Sequence, residues 1–393
     1  MIMKQIYSLY MDFIKNRDAQ GLRRELCAVT PDIAGHIVHQ GKSYIDFSSN
    51  DYLGLKHDPR ISERAQSASK KYGNGSGASR AVTGNFDLYG QVEQKVARWK
   101  NKQSALIMAG GFHCNASVLP TLFDKTVLGM EPLVFTDKLI HASMHQGCTT
   151  AGVKQIRFRH NDMEHLSELL QKHADSNAPK FILTESVFSM DGDVAPLDKL
   201  YVLRDKHDAC LIVDEAHATG VFGENGQGLA SKADIIIGTC GKALGGFGSY
   251  VAADKVVIDY LIQNCKGFIY STALPPSIVA SIDIAIDLVS DMSKEREHVL
   301  ALAEYFRNEL KGRGYDCGES TTQIVPLILG GVDETMALSD SLKENGFWTT
   351  AIRPPTIPVN ASRIRFAFSS VHTEGDINRL LDVLKSPDLK RAA

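Results

Sequence analysis

The chain has 393 residues, 44% hydrophobic and 23% charged, values typical of a globular protein with room for more than one packed domain. Its 43 Lys and Arg against 46 Asp and Glu leave a formal net charge of −3, which argues against a general nucleic-acid binder. Seven cysteines without C-x-x-C spacing argue against a zinc module or a disulfide framework, so we expect a reducing, cytoplasmic location.

The first 26 residues are amphipathic and interrupted by charges, unlike a signal peptide. No stretch of the chain reaches the about 20 apolar residues of a membrane span. Two short strands are predicted in GHIVHQGKSYIDFSS (35–49). This N-terminal segment is too small to fold alone, and we expect it to pack with the C-terminal domain.

From about residue 100, short apolar segments rich in β-branched residues alternate with segments of helical period. The predicted strands are SALIMAG (104–110), PLVFTD (132–137), KQIRFRH (154–160), PKFILTES (179–186), ACLIVDEAH (209–217) and ADIIIGTCG (233–241). Helices are predicted at 163–173 and 197–207. This alternation predicts an α/β domain with a mainly parallel sheet, whose ligands bind at the carboxyl ends of the strands.

The pattern changes near residue 276 to long helical segments, followed by a smaller α+β domain. Its predicted elements are helical residues 276–312, strand 321–330, helix 336–346, extended segments 347–355 and 362–370, and a last helix at about 374–386. We therefore expect an N-terminal segment (1–58) packing with the small domain, a large domain (59–270) and a small C-terminal domain (271–393).

Lys242 lies among glycines in GTCGKALGGFG (238–248), directly after a predicted strand. A lysine there suits a phosphate loop, a covalently held aldehyde cofactor, or a simple turn. The sequence departs from the phosphate-loop motif at two positions. Ala243 stands in place of the required hydroxyl residue, and Ile236 stands in place of the first glycine. GNGSGAS (73–79) also lacks the spacing of a dinucleotide-binding loop.

Pyridoxal 5′-phosphate (PLP) needs a lysine, a carboxylate for its ring nitrogen and donors for its phosphate. LIVDEAH (211–217) ends a predicted strand with Asp214, and His217 follows three residues later. AGGFHCN (109–115) places glycines where a strand meets a helix, and the amide groups of such a helix end bind phosphate. Each feature alone is equally compatible with a helix cap or tight turn, but the combination favours PLP.

With these motifs the chain resembles the α-oxoamine synthases, PLP enzymes of fold type I that condense an amino acid with an acyl thioester and release carbon dioxide. The motifs are FSSNDYLGL (47–55), GSGASR (75–80), HAS (141–143), TESVFSMDGD (184–193), VDEAHATGVFGENGQG (213–228), GTCGKALGG (238–246) and YSTALPPS (270–277). The resemblance implies a mainly parallel seven-stranded sheet in the large domain and a smaller α+β C-terminal domain.

The resemblance also implies roles for individual residues. Lys242 holds PLP covalently and removes a proton from the amino acid, Asp214 faces the pyridine nitrogen, and His217 contacts the ring hydroxyl. His141 stacks on the pyridine and polarises the acyl carbonyl. The remaining implied cofactor contacts are Gly111, Phe112, Ser189, Thr239 and Thr272, the last supplied by the partner in a homodimer with shared active sites.

On the substrate side, Arg365 matches the family's anchor for the amino acid carboxylate. Arg363 falls on the same face of the predicted strand, so spacing alone leaves the choice between them open. Asn50 is a second candidate for this carboxylate, or else a turn residue. Arg23 and Thr356 match substrate-side residues of the biotin-pathway branch.

TTAIRPPTIP (349–358) is most similar to that branch, which joins alanine to a pimeloyl thioester, carried by coenzyme A or a carrier protein, in biotin biosynthesis. The alternatives are a relative that uses serine or glycine, an amino-ketone synthase, an aminotransferase, and a PLP-binding protein without catalysis. No metal ion and no nucleic-acid partner are expected.

Overall fold

The computed structural model describes residues 2–384, with side chains from Gln5 onward. Its contacts divide the chain into two units, one of residues up to Ser49 with those from Leu300, the other Asn50–Val299. The sequence predicts boundaries after residues 58 and 270 instead. The second boundary differs because the helix at Pro276–Asp291 packs against the helices at 59–72 and 87–99. Within the described residues, no helix is long and apolar enough to cross a membrane.

The strands, in chain order, are β1 (Thr30–Pro31), β2 (His36–His39), β3 (Lys42–Asp46), β4 (Ser104–Met108), β5 (Leu133–Asp137), β6 (Gln155–Phe158), β7 (Lys180–Glu185), β8 (Ala209–Asp214), β9 (Ile235–Thr239), β10 (Ser249–Ala253), β11 (Ile324–Gly330), β12 (Phe347–Trp348), β13 (Thr350–Ile352) and β14 (Ser362–Ala367).

The helices are α1 (Ile2–Ala19), α2 (Pro59–Tyr72), α3 (Asp87–Trp99), α4 (Gly111–Leu122), α5 (Lys125–Leu128), α6 (Ala142–Ala151), α7 (Met163–Lys172), α8 (Leu197–Lys206), α9 (Lys255–Asn264), α10 (Lys266–Ile269), α11 (Pro276–Asp291), α12 (Ser293–Gly312), α13 (Val332–Glu344) and α14 (Glu374–Val383).

The unit Asn50–Val299 is built on a seven-stranded sheet of order β4-β10-β9-β8-β7-β5-β6. Strands β5 to β9 pair in parallel, and β10 runs antiparallel between β9 and β4. The predicted α/β fold with a mainly parallel seven-stranded sheet is confirmed. The pattern of apolar segments alone missed β10, whose sequence SYVAA is short and directly follows the glycine-rich lysine loop.

Apolar side chains from this sheet and its covering helices form one buried cluster. Leu106, Ile212 and Val251 of the sheet pack with Val118 of α4 and Met144 of α6, each 1% exposed or less. Burying one such side chain contributes about 1.5–3 kcal/mol. This packing holds the carboxyl ends of β5, β7, β8 and β9 at one edge of the sheet.

The other unit contains two small sheets, of order β1-β2-β3-β12 and β11-β14-β13. The N-terminal strand β3 pairs in parallel with β12, which brings Ile45 beside Phe347. Helix α14 begins at a capping box in which Thr373 and Asp376 bond each other's backbone amides. The predicted last helix extends to 386, and its final two residues lie outside the described part of the chain.

Candidate active site

The lysine loop connects β9 to β10 and is closed by its own backbone. Cys240 N–H donates to Gly248 O at 2.9 Å, and Gly245 N–H donates to Lys242 O at 2.9 Å. Gly245 has a φ of +66°, and a Cβ there would lie 2.4 Å from the backbone of Leu55. A side chain at Gly245 would therefore clash, which explains one of the glycines around Lys242.

Lys242 begins a chain of hydrogen bonds. Its Nζ lies 2.7 Å from His217 Nε2, and His217 Nδ1 lies 2.6 Å from the hydroxyl of Tyr52. Tyr52 donates its proton to Asn50 Oδ1 at 3.0 Å, so its oxygen accepts the Nδ1–H of His217. Nε2 of a neutral His217 then accepts a hydrogen from the lysine amine.

Asp214 is the last residue of β8 and is 5% exposed. Its Oδ2 accepts a hydrogen bond from Asn115 Nδ2 at 2.7 Å, and its Oδ1 accepts from Ala216 N–H at 2.8 Å. These donors fix the orientation of the carboxylate, and a carboxylate is the partner that a protonated pyridine nitrogen requires.

His141 caps the first turn of α6. Its Nδ1 accepts the N–H of Ser143 at 3.2 Å and lies 2.7 Å from the Ser143 hydroxyl. Burial lowers the pKa of His141 despite the opposing charge of Asp214, so the imidazole is neutral near pH 7. Phe112 meets His141 edge to face, with ring centroids 6.5 Å apart.

The start of α4 provides backbone donors for an anion. Cys114 makes the first helical hydrogen bond to Gly110 O at 2.8 Å, so the preceding amides of the helix end have no partner within the helix. Gly111 lies beside Thr239, because a Cβ on it would be 3.6 Å from Thr239 Cβ. Thr239 itself donates to Gly248 O at 3.0 Å and accepts Gly241 N–H at 3.2 Å, and so braces the lysine loop.

Ser189 and Thr272 complete the predicted cofactor contacts within this unit. Ser189 is buried in the turn after β7, where Gly192 N–H bonds Phe188 O at 2.9 Å. Thr272 is exposed, in a segment that bridges to Ser79.

The donor set fits PLP. An amine, a hydrogen-bonded carboxylate, a neutral histidine and the amino end of a 12-residue helix all belong to one unit and follow or precede strands of the same sheet. No cluster that could hold a metal ion occurs among the described residues.

Four residues without a role in the sequence prediction also belong to this site: Tyr52, Asn115, Ser143 and Glu185. All four lie inside the quoted motifs, and this position was the only feature of the sequence that could have marked them as site residues. Glu185 is fully buried opposite Asp214 on the neighbouring strand. Burial, followed by the charge of Asp214, raises the pKa of Glu185 well above its usual range, so it is a neutral acid.

The predicted substrate-side residues other than Asn50 belong to the other unit, formed by residues up to Ser49 and from Leu300. Arg23 is exposed and pairs with Asp18 at 3.0 Å, whereas its neighbour Arg24 donates to Thr356 Oγ1 at 3.2 Å. Arg363 and Arg365 are both buried on β14, two residues apart and therefore on one face. The structure keeps both arginines as candidates.

Comparison with known proteins identifies the family of the chain. The family described as "Aminotransferase class I and II" matches residues 42–384. The 8-amino-7-oxononanoate synthase of Gluconacetobacter diazotrophicus is 48% identical over 373 residues, 94% of this chain and 94% of that protein.

Solved structures are also similar. Serine palmitoyltransferase from S. paucimobilis, with bound PLP, has a TM-score of 0.89 and 26% identity, covering 99% of this chain and 98% of that one. The 8-amino-7-oxononanoate synthase from Francisella tularensis has a TM-score of 0.76 and 29% identity, covering 88% of this chain and 98% of that one. The resemblance to α-oxoamine synthases is confirmed, and the chain belongs to the aminotransferase class I and II family.

Proposed function

We propose that the protein condenses alanine with a pimeloyl thioester, releasing carbon dioxide and the free thiol carrier, and so makes 8-amino-7-oxononanoate for biotin synthesis. The observation that carries the proposal is the set of Lys242, His217, Asp214 and His141 at one sheet edge of a chain 48% identical to such a synthase.

In this proposal PLP supplies an electron sink for the carbanion that forms when the amino acid loses its α-proton. Lys242 Nζ would hold PLP covalently until the substrate amine displaces it, and the released lysine would then accept that proton as a neutral amine. The contact with His217 at 2.7 Å suits this state, because an Nε2 without a proton accepts a hydrogen from the amine and adds no positive charge.

Asp214, oriented by its two hydrogen bonds, faces the ring nitrogen of PLP. His141 carries its proton on Nε2, since Nδ1 accepts from Ser143, and donates it to the acyl carbonyl oxygen where charge develops. The amides at the start of α4 bind the phosphate, together with Thr272 of the partner subunit.

The substrate carboxylate pairs with Arg365, and Asn50, Arg23 and Thr356 serve the substrate side. The match of Arg365 to the family position supports this role, and Arg363, buried on the same face of β14, remains the other candidate. Arg24 joins this set through its hydrogen bond to Thr356.

A homodimer is part of the proposal, and the exposure of Thr272 supports its role in a partner's site. Large apolar side chains that are exposed in the single chain support it, among them Leu9, Tyr10, Phe13, Phe247 and Tyr270. A cytoplasmic location also remains part of the proposal, supported by seven cysteines that are all free thiols.

The test is to mix the PLP-loaded protein with alanine and pimeloyl-CoA, or the pimeloyl carrier protein, and to measure thiol release and the product mass. We expect alanine to be favoured over glycine or serine by about tenfold, since one methyl group contributes only about 1–3 kcal/mol to selectivity. Preference for serine with a long unbranched acyl thioester would instead make the protein a serine palmitoyltransferase-like enzyme. Amino transfer to a keto acid without thiol release would make it an aminotransferase.

A further inference from the structure

Asn115 lies on α4 between two functional side chains, and it is 1% exposed. Its single side-chain nitrogen is 2.7 Å from Asp214 Oδ2 and 3.0 Å from Ser143 Oγ. An amide nitrogen carries two hydrogens, so one is donated to each acceptor. The opposite orientation of the amide would place Asn115 Oδ1 against the Asp214 carboxylate, which repels it.

Ser143 continues the connection. Its hydroxyl accepts from Asn115, so its own hydrogen is donated to His141 Nδ1 at 2.7 Å. The backbone N–H of Ser143 reaches the same Nδ1 at 3.2 Å. With Nδ1 accepting, the proton of the neutral imidazole is on Nε2, at the ring edge away from Ser143.

We propose that Asn115 is a positioning residue that links the ring-nitrogen partner Asp214 to His141 through Ser143, so that carboxylate orientation and imidazole tautomer are set together. This role rests on the proposed PLP-dependent function. Asn115 touches neither substrate nor cofactor in this scheme, and it acts through the two groups that do.

Burial gives the connection its strength. Asp214, Ser143 and Asn115 are each 5% exposed or less, so water does not replace a lost bond. Asn115 Oδ1 is buried without a hydrogen-bond partner among the described residues. The contribution of Asn115 is therefore its two donors, because an apolar side chain of similar size would avoid that unpaired oxygen.

The experiment compares Asn115→Leu, Ser143→Ala and the double variant with Thr121→Val as the control. Thr121 is on the same helix, and its hydroxyl bonds the helix carbonyl of Ser117 at 2.8 Å and contacts the thiol of Cys265. The readouts are kcat and KM, the dissociation constant of PLP, and the pH midpoint of the visible absorption band of bound PLP.

We expect Asn115→Leu to lower kcat by about ten- to hundredfold with little change in KM, since it removes a hydrogen bond to a charged group. The absorption midpoint should move by about 0.5 pH unit or more, while Thr121→Val leaves it unchanged. The double variant should lose less than the product of the two single losses, because both break one chain.

Multiplicative losses, or an Asn115→Leu protein with wild-type midpoint and kcat, would overturn the proposal. If Asn115→Leu does not fold, Ser143→Ala and Ser143→Thr test the same chain, because threonine keeps the hydroxyl that alanine lacks. A Ser143→Thr protein with kcat as low as that of Ser143→Ala counts against the proposal. The spectral and PLP-binding readouts need no substrate. A wild type inactive with alanine and pimeloyl thioester would therefore overturn the proposed function alone.

Discussion

The amine of Lys242 and the imidazole of His217 contact each other at 2.7 Å, and this contact connects the lysine loop to the strand that ends in Asp214. Two buried acids follow each other on that segment with different surroundings. Asp214 bonds Asn115 and a backbone amide, whereas Glu215 pairs with the buried Lys100 at 2.9 Å. Asp214 therefore belongs to the candidate active site, whereas its neighbour Glu215 belongs to a buried ion pair.

Lys242→Ala should abolish turnover and the yellow colour that covalently bound PLP gives the protein. Borohydride reduction followed by mass spectrometry should find PLP fixed to the peptide that contains Lys242 in the wild type only. Lys255→Ala is the control, because Lys255 is exposed and pairs with Asp259 on its own helix. Wild-type turnover by Lys242→Ala would contradict the assignment.

Asp214→Asn should lower kcat by several orders of magnitude, because the neutral amide no longer holds a proton on the pyridine nitrogen. Its shape is preserved, but asparagine has only one acceptor oxygen for the two donors Asn115 and Ala216, so a modest fall in melting temperature is also expected. Steady-state kinetics and thermal unfolding measure the two effects separately. A loss in kcat below about tenfold would assign the electron-sink partner to another residue.

Glu215→Ala should act mainly on stability and destabilise the fold by about 3–5 kcal/mol, because it removes the carboxylate partner of the buried Lys100 and leaves its amine with the neutral acceptors Thr219 and Gln227. The amides of Leu229 and Ala230, which donate to Glu215 at 2.6 Å and 2.7 Å, would lose their acceptor as well. Urea unfolding measures the loss. A variant as stable as the wild type would show that Thr219 and Gln227 are sufficient acceptors for Lys100.

At the scale of elements, three strand ends are joined by one histidine. His160, after β6, bonds Asp137 of β5 at 3.0 Å and Asp193, in the loop after β7, at 2.7 Å. Burial opposes a positive charge on His160, but the two carboxylates outweigh it and raise its pKa to about 10. The loops that carry His141 and Ser189 begin at these same strand ends.

His160→Gln should remove a pH-dependent part of the stability. A histidine with its pKa raised from 6.5 to about 10 stabilises the fold fully below pH 6.5, and this contribution is lost as pH rises to about 10. The difference in free energy of unfolding between wild type and variant should therefore shrink across that interval. Urea unfolding at several pH values measures it, with His57→Gln, at an exposed position, as control. A difference independent of pH would contradict the raised pKa.

At the scale of the whole molecule, the proposed homodimer with shared active sites can be tested by complementation. In a mixed dimer of Lys242→Ala and Thr272→Ala chains, one site combines an intact Lys242 with an intact Thr272 from the other chain. Random mixing should then restore up to about a quarter of wild-type activity, because half the dimers are mixed and each has one intact site. No recovery, or a fully active monomer in sedimentation, would contradict sharing.

Much of this architecture was predictable from the sequence. The strands from 104 to 239 are apolar because parallel strands are buried on both faces, and this pattern is local. Lys242 and Asp214 were recognisable because PLP chemistry requires those residue types, and each directly follows or ends a predicted strand.

The sequence by itself determined the fold class, the family and the residue types of the candidate site, since these depend on local composition and motif spacing. Only the tertiary structure decided which side chains meet. Tyr52 and His217 are 165 residues apart, and Asn115 and Asp214 are 99 apart, so their hydrogen bonds exist only because the sheet and helices pack as they do. Likewise Arg24, not Arg23, contacts Thr356, because a shift of one residue turns a side chain to another direction and no local pattern marks which one faces its distant partner.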